Sequence, residues 1–162
     1  MKLLVVCLGN ICRSPMGEGA LRAVVERSPL AGRVQVDSAG TSDWHRGHAP
    51  DPRAIACAAR HGVDIAGLRA RPLQREDFRQ FDHILCADDH NLADAQAIAP
   101  PDARGRAVLW LPWAGIAGAR SVPDPYYGGE ADFEHSWALL DAAAQATVQR
   151  LAVAAESGII AP

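Results

Sequence analysis

Hydrophobic positions along the chain fall into short continuous runs and helical stripes that alternate. Leu3-Leu4-Val5-Val6 is apolar at every position, the pattern of a strand covered on both faces. Beyond Gly9-Asn10 the period changes. Met16, Ala20, Leu21, Val24 and Val25 recur at helical spacing, which predicts a helix with Ser14 as its cap and Pro15 in its first turn. That helix ends near Arg27, before Ser28-Pro29. Val34 to Ala39 alternates and predicts a second strand, and Asp51-Pro52-Arg53 caps a second helix that carries Ile55, Ala56 and Ala59 and closes at His61-Gly62. Phe81 to Ala87 predicts a third strand, followed by an Asp88 cap and a helix through Leu92, Ala95 and Ile98 to Pro100-Pro101. Ala107 to Trp110 is the fourth strand expected. Gly115 to Gly129 reads as loop, and Asp132 opens a long helix with Phe133, Trp137, Leu140, Ala144, Val148 and Leu151 on one side.

Strands alternating with helices imply right-handed crossovers onto a parallel sheet. The expected architecture is a three-layer, doubly wound α/β fold: a four-stranded parallel sheet with helices on both faces, one domain over residues 1–162. A chain of 162 residues, 49% hydrophobic and 22% charged, buries enough surface to need neither disulfides nor metal. The net charge of -3 and the absence of any Lys/Arg run argue against nucleic acid as a partner. No segment approaches the ~18 apolar residues of a membrane span. The apolar start breaks at Gly9-Asn10 with no small-residue cleavage site after it, unlike a signal peptide. Cysteines 7, 12, 57 and 86 form no CxxC pair and no zinc spacing, so a reducing cytoplasm is expected and no metal or cofactor. Cys57 and Cys86 read as core, as do Trp110, Trp113 and Trp137. His45-Arg46-Gly47-His48 reads as a solvated loop.

In doubly wound folds ligands bind beyond the carboxyl ends of the strands, where strand order reverses. Cys7-Leu8-Gly9-Asn10-Ile11-Cys12-Arg13-Ser14 runs from the first strand straight into a helix N-terminus. Such a turn aims successive N–H groups into one concavity, and the helix adds about half a positive charge there. Gly9 and Asn10 tolerate the left-handed conformations that this cup needs. Arg13 adds a planar fork that can grip two phosphate oxygens. A thiol at a helix N-terminus beside arginine ionises more readily than a free one, so Cys7 would attack as a thiolate. Ser14 can donate a hydrogen bond to that sulfur. A cysteine at the end of an apolar strand is usually inert packing; Arg13, the Gly-Asn turn and the helix behind it reverse that reading. The Lys of a nucleotide-binding Gly-x-x-x-x-Gly-Lys-[Ser/Thr] loop is absent.

The segment Val6-Cys7-Leu8-Gly9-Asn10-Ile11-Cys12-Arg13-Ser14-Pro15 closely resembles the signature of the low-molecular-weight protein tyrosine phosphatases. Ser42-Asp43-Trp44, Pro50-Asp51-Pro52-Arg53, Phe81 to Cys86 and Asp124-Pro125-Tyr126-Tyr127-Gly128 resemble further family segments in the family's order. Departures are confined mainly to the Gly/Ala-rich stretch Leu109 to Val122 and to the tail Ile159 to Pro162. The resemblance implies phosphotyrosine hydrolysis through a phosphocysteine, with Cys7 as nucleophile, Arg13 as phosphate clamp and Asp124 as general acid and then base. Pro123 and Pro125 bracket Asp124 in a stiff loop, though Asp-Pro is also an ordinary turn. Asp88 and Asp43 read as caps or surface charges. The resemblance places Trp44, Tyr126 and Tyr127 at the rim, where aromatic walls accept a phenyl ring. Leu8, Gly9, Asn10, Ile11, Cys12 and Ser14 are expected to line the loop and bind the substrate, while Asn10, Ser14 and Ser38 also brace it. It also implies phosphotyrosine-bearing proteins as partners, inorganic phosphate as product and inhibitor, and a monomer.

Cys12 has two readings: packing under the helix start, or a resolving thiol that forms a disulfide with an oxidised Cys7. Three rival functions share parts of the pattern. Arsenate reductases need shuttling cysteines downstream, and only the widely separated Cys57 and Cys86 lie there. Protein arginine phosphatases carry Thr where Ile11 stands, and a phosphocarrier needs neither Arg13 nor Asp124. An inactive phosphate-binding module would lack one of Cys7, Arg13 or Asp124, and all three are present.

Overall fold

The computed structural model describes residues 1–159; the expected domain end at 162, with most of the divergent tail, lies outside the described residues. In chain order the elements are β1 (Lys2–Cys7), α1 (Arg13–Glu26), β2 (Gln35–Gly40), α2 (Pro52–Arg60), α3 (Asp77–Gln80), β3 (His83–Cys86), α4 (Asp89–Ile98), β4 (Arg106–Leu109), α5 (Trp110–Ala114) and α6 (Glu130–Glu156). The strands form one sheet in the order β2-β1-β3-β4, and every neighbouring pair is parallel. Strand order therefore reverses between β1 and β3. Cys7 pairs with Gly40 at the carboxyl end of β1, and Val6 pairs with Cys86.

The alternation within β1 builds three layers. Leu3 and Val5 point into the larger core, made with Met16 and Leu21 of α1, Ala54 and Cys57 of α2, Trp110 of α5, and Phe133 and Leu140 of α6. Leu4 and Val6 point the other way, against Phe78 of α3, Phe81 just after it, and Ala95 of α4. The sheet is covered on both faces, as its continuous apolar run predicts. Among the described residues no helix is long and apolar enough to cross a membrane.

Several local expectations change. Ser14 does not cap α1: Cys12 occupies the cap position without a side-chain bond, and the Ser14 hydroxyl instead meets Cys7. Trp110 does not extend β4. It opens α5, where its Nε1 donates to Thr147 Oγ1 of α6 at 2.9 Å, and Pro112 two residues later has no N–H to continue a ladder. The long helix begins at Glu130 rather than Asp132, because the Asp132 carboxylate reaches back to accept from the Gly129 amide at 2.8 Å. Helix α3 is only four residues long, too short to show a hydrophobic period. Trp113 is half-buried rather than in the core, with its ring against His83 and the Arg150 guanidinium.

Helix α1 carries two glycines that lower its intrinsic propensity, and packing explains them. A methyl group at Gly17 would lie 2.9 Å from Trp110 Cζ3, 3.0 Å from Val5 Cγ1 and 3.3 Å from Leu140 Cδ2. All three neighbours are fully buried, so none can step aside. Gly17→Ala should gain about 1 kcal/mol in helix propensity and lose about 1–3 kcal/mol to overpacking. The expected outcome is a lower urea midpoint at unchanged slope; a raised midpoint would show that the core has room for the methyl group.

Candidate active site

The first strand delivers Cys7 to the switch point, and the chain then curls through residues 8–12 before α1 begins. Carbonyls of the curl are bonded from outside: Cys7 O accepts from the Thr41 amide at 2.9 Å, Leu8 O from the Ser42 amide at 3.0 Å and Ile11 O from the Asp51 amide at 2.8 Å. The amides of residues 8–12 donate to no protein partner among the described residues. With its carbonyls turned out and its amides turned in, the loop is an anion cup at a helix N-terminus.

Asn10 sets the curl. It is the only non-glycine residue at positive φ among those described, at 56°, and it is 3% exposed. Its Nδ2 donates to Ser14 Oγ at 2.7 Å and Ser38 Oγ at 3.0 Å, and its Oδ1 accepts from the Arg71 amide at 3.0 Å. Gly40 lies against this turn so closely that a Cβ would sit 2.7 Å from Leu8 O. Ser14 Oγ in turn lies 3.1 Å from Cys7 Sγ, and Ser38 Oγ donates to Glu18 Oε1 at 2.8 Å. Thus Asn10, Ser14 and Ser38 stand behind the cup and face each other rather than its cavity.

Arg13 is 3% exposed, and its charge is compensated on several sides. Nη1 donates to Asp88 Oδ2 at 2.6 Å and to Val122 O at 3.1 Å, while Nη2 lies 3.7 Å from Asp124 Oδ2. Burial works against the guanidinium charge, and the negative charges of Cys7, Asp88 and Asp124 outweigh it, so its pKa stands above the usual arginine value. Asp88 also caps α4, through Oδ1 and the Asn91 amide at 2.8 Å. A cap was expected there; the second oxygen's contact with Arg13 was not. Burial, followed by the charges of Asp51, Cys7 and Asp124, pushes the Cys12 thiol well up.

The cleft over the cup encloses about 190 Å³ and is lined by Cys7, Leu8, Gly9, Ile11, Cys12, Arg13, Trp44, His45, Asp124, Tyr126 and Tyr127. Seven sequence-derived candidates for the loop and rim therefore join Cys7, Arg13 and Asp124 around one cavity, whereas Asn10 and Ser14 do not line it. Trp44 is 71% and Tyr127 95% exposed, as rim residues would be. A wider open depression of about 550 Å³, between Lys2, Arg22 and Gln35 at the amino ends of β1 and β2, holds none of these groups.

Arg53 anchors the loop that carries Asp124. Its guanidinium donates to Tyr126 O at 2.9 Å and Gly128 O at 3.2 Å, and it lies over the Tyr126 and Phe133 rings. Asp51, with two further bonds to Arg53, fixes its direction. Sequence reasoning had only a helix cap there. His45 was also missed; its ring packs against Gly9, and nothing in the His-Arg-Gly-His spacing points to that contact. Glu18 was missed too, although it lies one helical turn beyond Ser14.

A family model described as low molecular weight phosphotyrosine protein phosphatase matches residues 2–156. A Drosophila melanogaster protein named low molecular weight phosphotyrosine protein phosphatase 2 is 43% identical over 133 residues, 82% of this chain and 80% of that one. The crystal structure of a protein tyrosine phosphatase from Entamoeba histolytica matches with a TM-score of 0.88 and 32% identity over 99% of both chains. That of a Drosophila arginine phosphatase matches with a TM-score of 0.87 and 29% identity, over 93% of this chain and 98% of that one. With the family model spanning residues 2–156 and relatives above 40% identity over most of the chain, the chain belongs to the low molecular weight phosphotyrosine protein phosphatase family.

Proposed function

We propose that the protein hydrolyses phosphotyrosine in proteins through a phosphocysteine intermediate. The observation that carries this reading is Cys7 Sγ at the base of the cup, 3.1 Å from Ser14 Oγ, with Arg13 and Asp124 lining the same cleft. The Cys7 thiolate attacks phosphorus as the bond to the aryl oxygen breaks, and the protonated Asp124 carboxyl gives its proton to that oxygen. Asp88 and Val122 hold Nη1 of Arg13, which leaves the Nε and Nη2 edge to grip two phosphoryl oxygens. In the second step Asp124 takes a proton from water, the water oxygen bonds to phosphorus, and sulfur leaves as a thiolate that accepts the Ser14 hydroxyl hydrogen bond. The inward amides stabilise the charge on the equatorial oxygens in both steps.

Leu8, Gly9, Ile11 and Cys12 form the floor and near wall, and Trp44, Tyr126 and Tyr127 the rim. A narrow apolar slot suits a phenyl ring, and a phosphoserine side chain is too short to bring its phosphate to Cys7. Asn10 and Ser38 hold the cup's shape. In this reading the chain acts as one monomeric domain in the cytoplasm, phosphate is its product and inhibitor, and the chemistry uses no cofactor. Phosphotyrosine, phosphoserine and phosphoarginine peptides assayed side by side test the substrate class. Preference for phosphoarginine would replace this reading with that of an arginine phosphatase.

We also assign Cys12 as the resolving thiol for an oxidised Cys7. Peroxide converts the Cys7 thiolate to a sulfenic acid; the Cys12 sulfur then bonds to the Cys7 sulfur and water leaves. Once Cys7 is no longer an anion, one of the charges that oppose Cys12 ionisation is gone.

Three outcomes test these roles. Cys7→Ser should abolish turnover yet still bind vanadate, because the cup's amides remain; phosphate trapped on any other residue of the parent would reject Cys7 as nucleophile. Asp124→Asn should slow phosphotyrosine hydrolysis roughly 10²- to 10⁴-fold and p-nitrophenyl phosphate hydrolysis much less, since that leaving group needs little protonation. Equal losses on the two substrates would remove Asp124 from the acid role. After peroxide and then a thiol reductant, Cys12→Ser should recover less activity than the parent, and bound phosphate should protect both; equal recovery would leave Cys12 with packing alone.

A further inference from the structure

Away from the catalytic cleft, three side chains of unlike chemistry converge where α2 meets α6. Cys57 and His61 are four residues apart, one helical turn, and so share a face of α2 and its cap. Glu134 faces them from the start of α6. The Cys57 sulfur, a ring nitrogen of His61 and a carboxylate oxygen of Glu134 all lie within 4.8 Å of one another. His61 Nε2 is already 2.6 Å from Glu134 Oε2. We propose that Cys57, His61 and Glu134 form a Zn²⁺ site that ties α2 to α6, with water as the fourth ligand.

The donor set suits the ion: a thiolate, an imidazole and a carboxylate match zinc, while the sulfur disfavours magnesium and calcium. Zinc bonds of about 2.0 to 2.3 Å place ligand atoms of one tetrahedron about 4 Å apart or less, so the three groups need only small side-chain rotations. Two of them are held from behind, as ligands in metal sites are. Arg60 Nε donates to Glu134 Oε1 at 2.7 Å, which leaves Oε2 toward the site. The His61 ring stacks on Trp137, with centroids 5.0 Å apart.

The charges also balance. A Cys57 thiolate, Glu134 and the neighbouring Glu130, set against Arg60, leave two negative charges for a divalent cation. Burial, and then the Glu134 charge, pushes the Cys57 thiol up to about 11, so without metal the thiol keeps its proton. Zinc replaces that proton at sulfur, and His61 coordinates in its neutral form. The position is consequential for the rest of the molecule. Helix α2 carries Arg53, which grips the Tyr126 and Gly128 carbonyls, and α6 begins directly after that loop. An ion between the two helices would tighten both supports of the segment that carries Asp124.

The test uses the full chain with Cys7→Ser, so that the catalytic thiol cannot bind the probe. Titration with Co²⁺ should give a thiolate-to-cobalt charge-transfer band and tetrahedral visible bands, saturating at one ion per chain and bleached by Zn²⁺. Adding Cys57→Ala should remove the charge-transfer band. Adding the exposed change His61→Gln, which leaves the core intact, should weaken binding at least about 10-fold. Zn²⁺ should raise the unfolding temperature of the Cys7→Ser chain and not that of Cys7→Ser/Cys57→Ala. Absence of the band, its survival in the Cys57→Ala chain, or undiminished affinity in the His61→Gln chain would each overturn the site.

Discussion

Turning successive backbone amides into one cavity requires a chain that curls the wrong way for ordinary residues, and Asn10 is where that constraint is met. A left-handed conformation is unfavourable for a residue with a side chain, so something must hold it. Here the side-chain amide is bonded at both ends, to Ser14, Ser38 and Arg71, in a place closed to water. Each of those bonds would be costly to leave unmade in a buried site. They join the curl to α1, to β2 and to the segment that bridges the edge of β2. Shape of the cup, direction of the Ser14 hydroxyl and close approach of Gly40 all follow from that junction.

The second requirement is a buried positive charge facing the cup. Removing Arg13 from water is tolerable only because Asp88 and the Val122 carbonyl bind one end of its guanidinium while Cys7 and Asp124 stand near the rest. These partners come from three places: the end of β1, the turn after β3, and the loop beyond α5. Parallel strands whose order reverses between β1 and β3 bring those ends to one spot. A buried arginine on its own would be a liability, and in this topology its partners hold it in one orientation at the edge of the cleft.

The Asp124 loop is supported differently, from the helices rather than from the sheet. Ser136 of α6 donates to Pro123 O, and Arg53 of α2 holds the carbonyls of Tyr126 and Gly128. Asp124 is thus carried by the junction of α2 and α6, where the cysteine, histidine and glutamate cluster also lies. Cys7 and Asp124 therefore rest on separate supports. Changes in the α2 and α6 packing can reach Asp124 without disturbing Cys7.

Much of this was legible in one dimension. Continuous apolar runs predicted strands covered on both faces, their alternation with helical stripes predicted a parallel sheet, and Cys7 through Ser14 carried enough local chemistry to mark an anion cup. These succeed because strand pleat, helical period and helix-terminus electrostatics depend on near neighbours in the chain. Distant partners were less readable. Asp88 looked like a cap and is one, yet its other oxygen serves Arg13, 75 residues away in sequence. Ser14 looked like a cap and is not, because Cys7 and Asn10 claim its hydroxyl. Trp110 looked like a strand residue and instead opens α5, where its ring nitrogen donates to Thr147 on α6. Local patterns in the chain were enough to set the layers, the sheet and the curled loop after β1. The partner that each polar group takes emerged with the folded packing, since side chains such as Asp, Ser and Arg can satisfy several hydrogen bonds and packing selects among them.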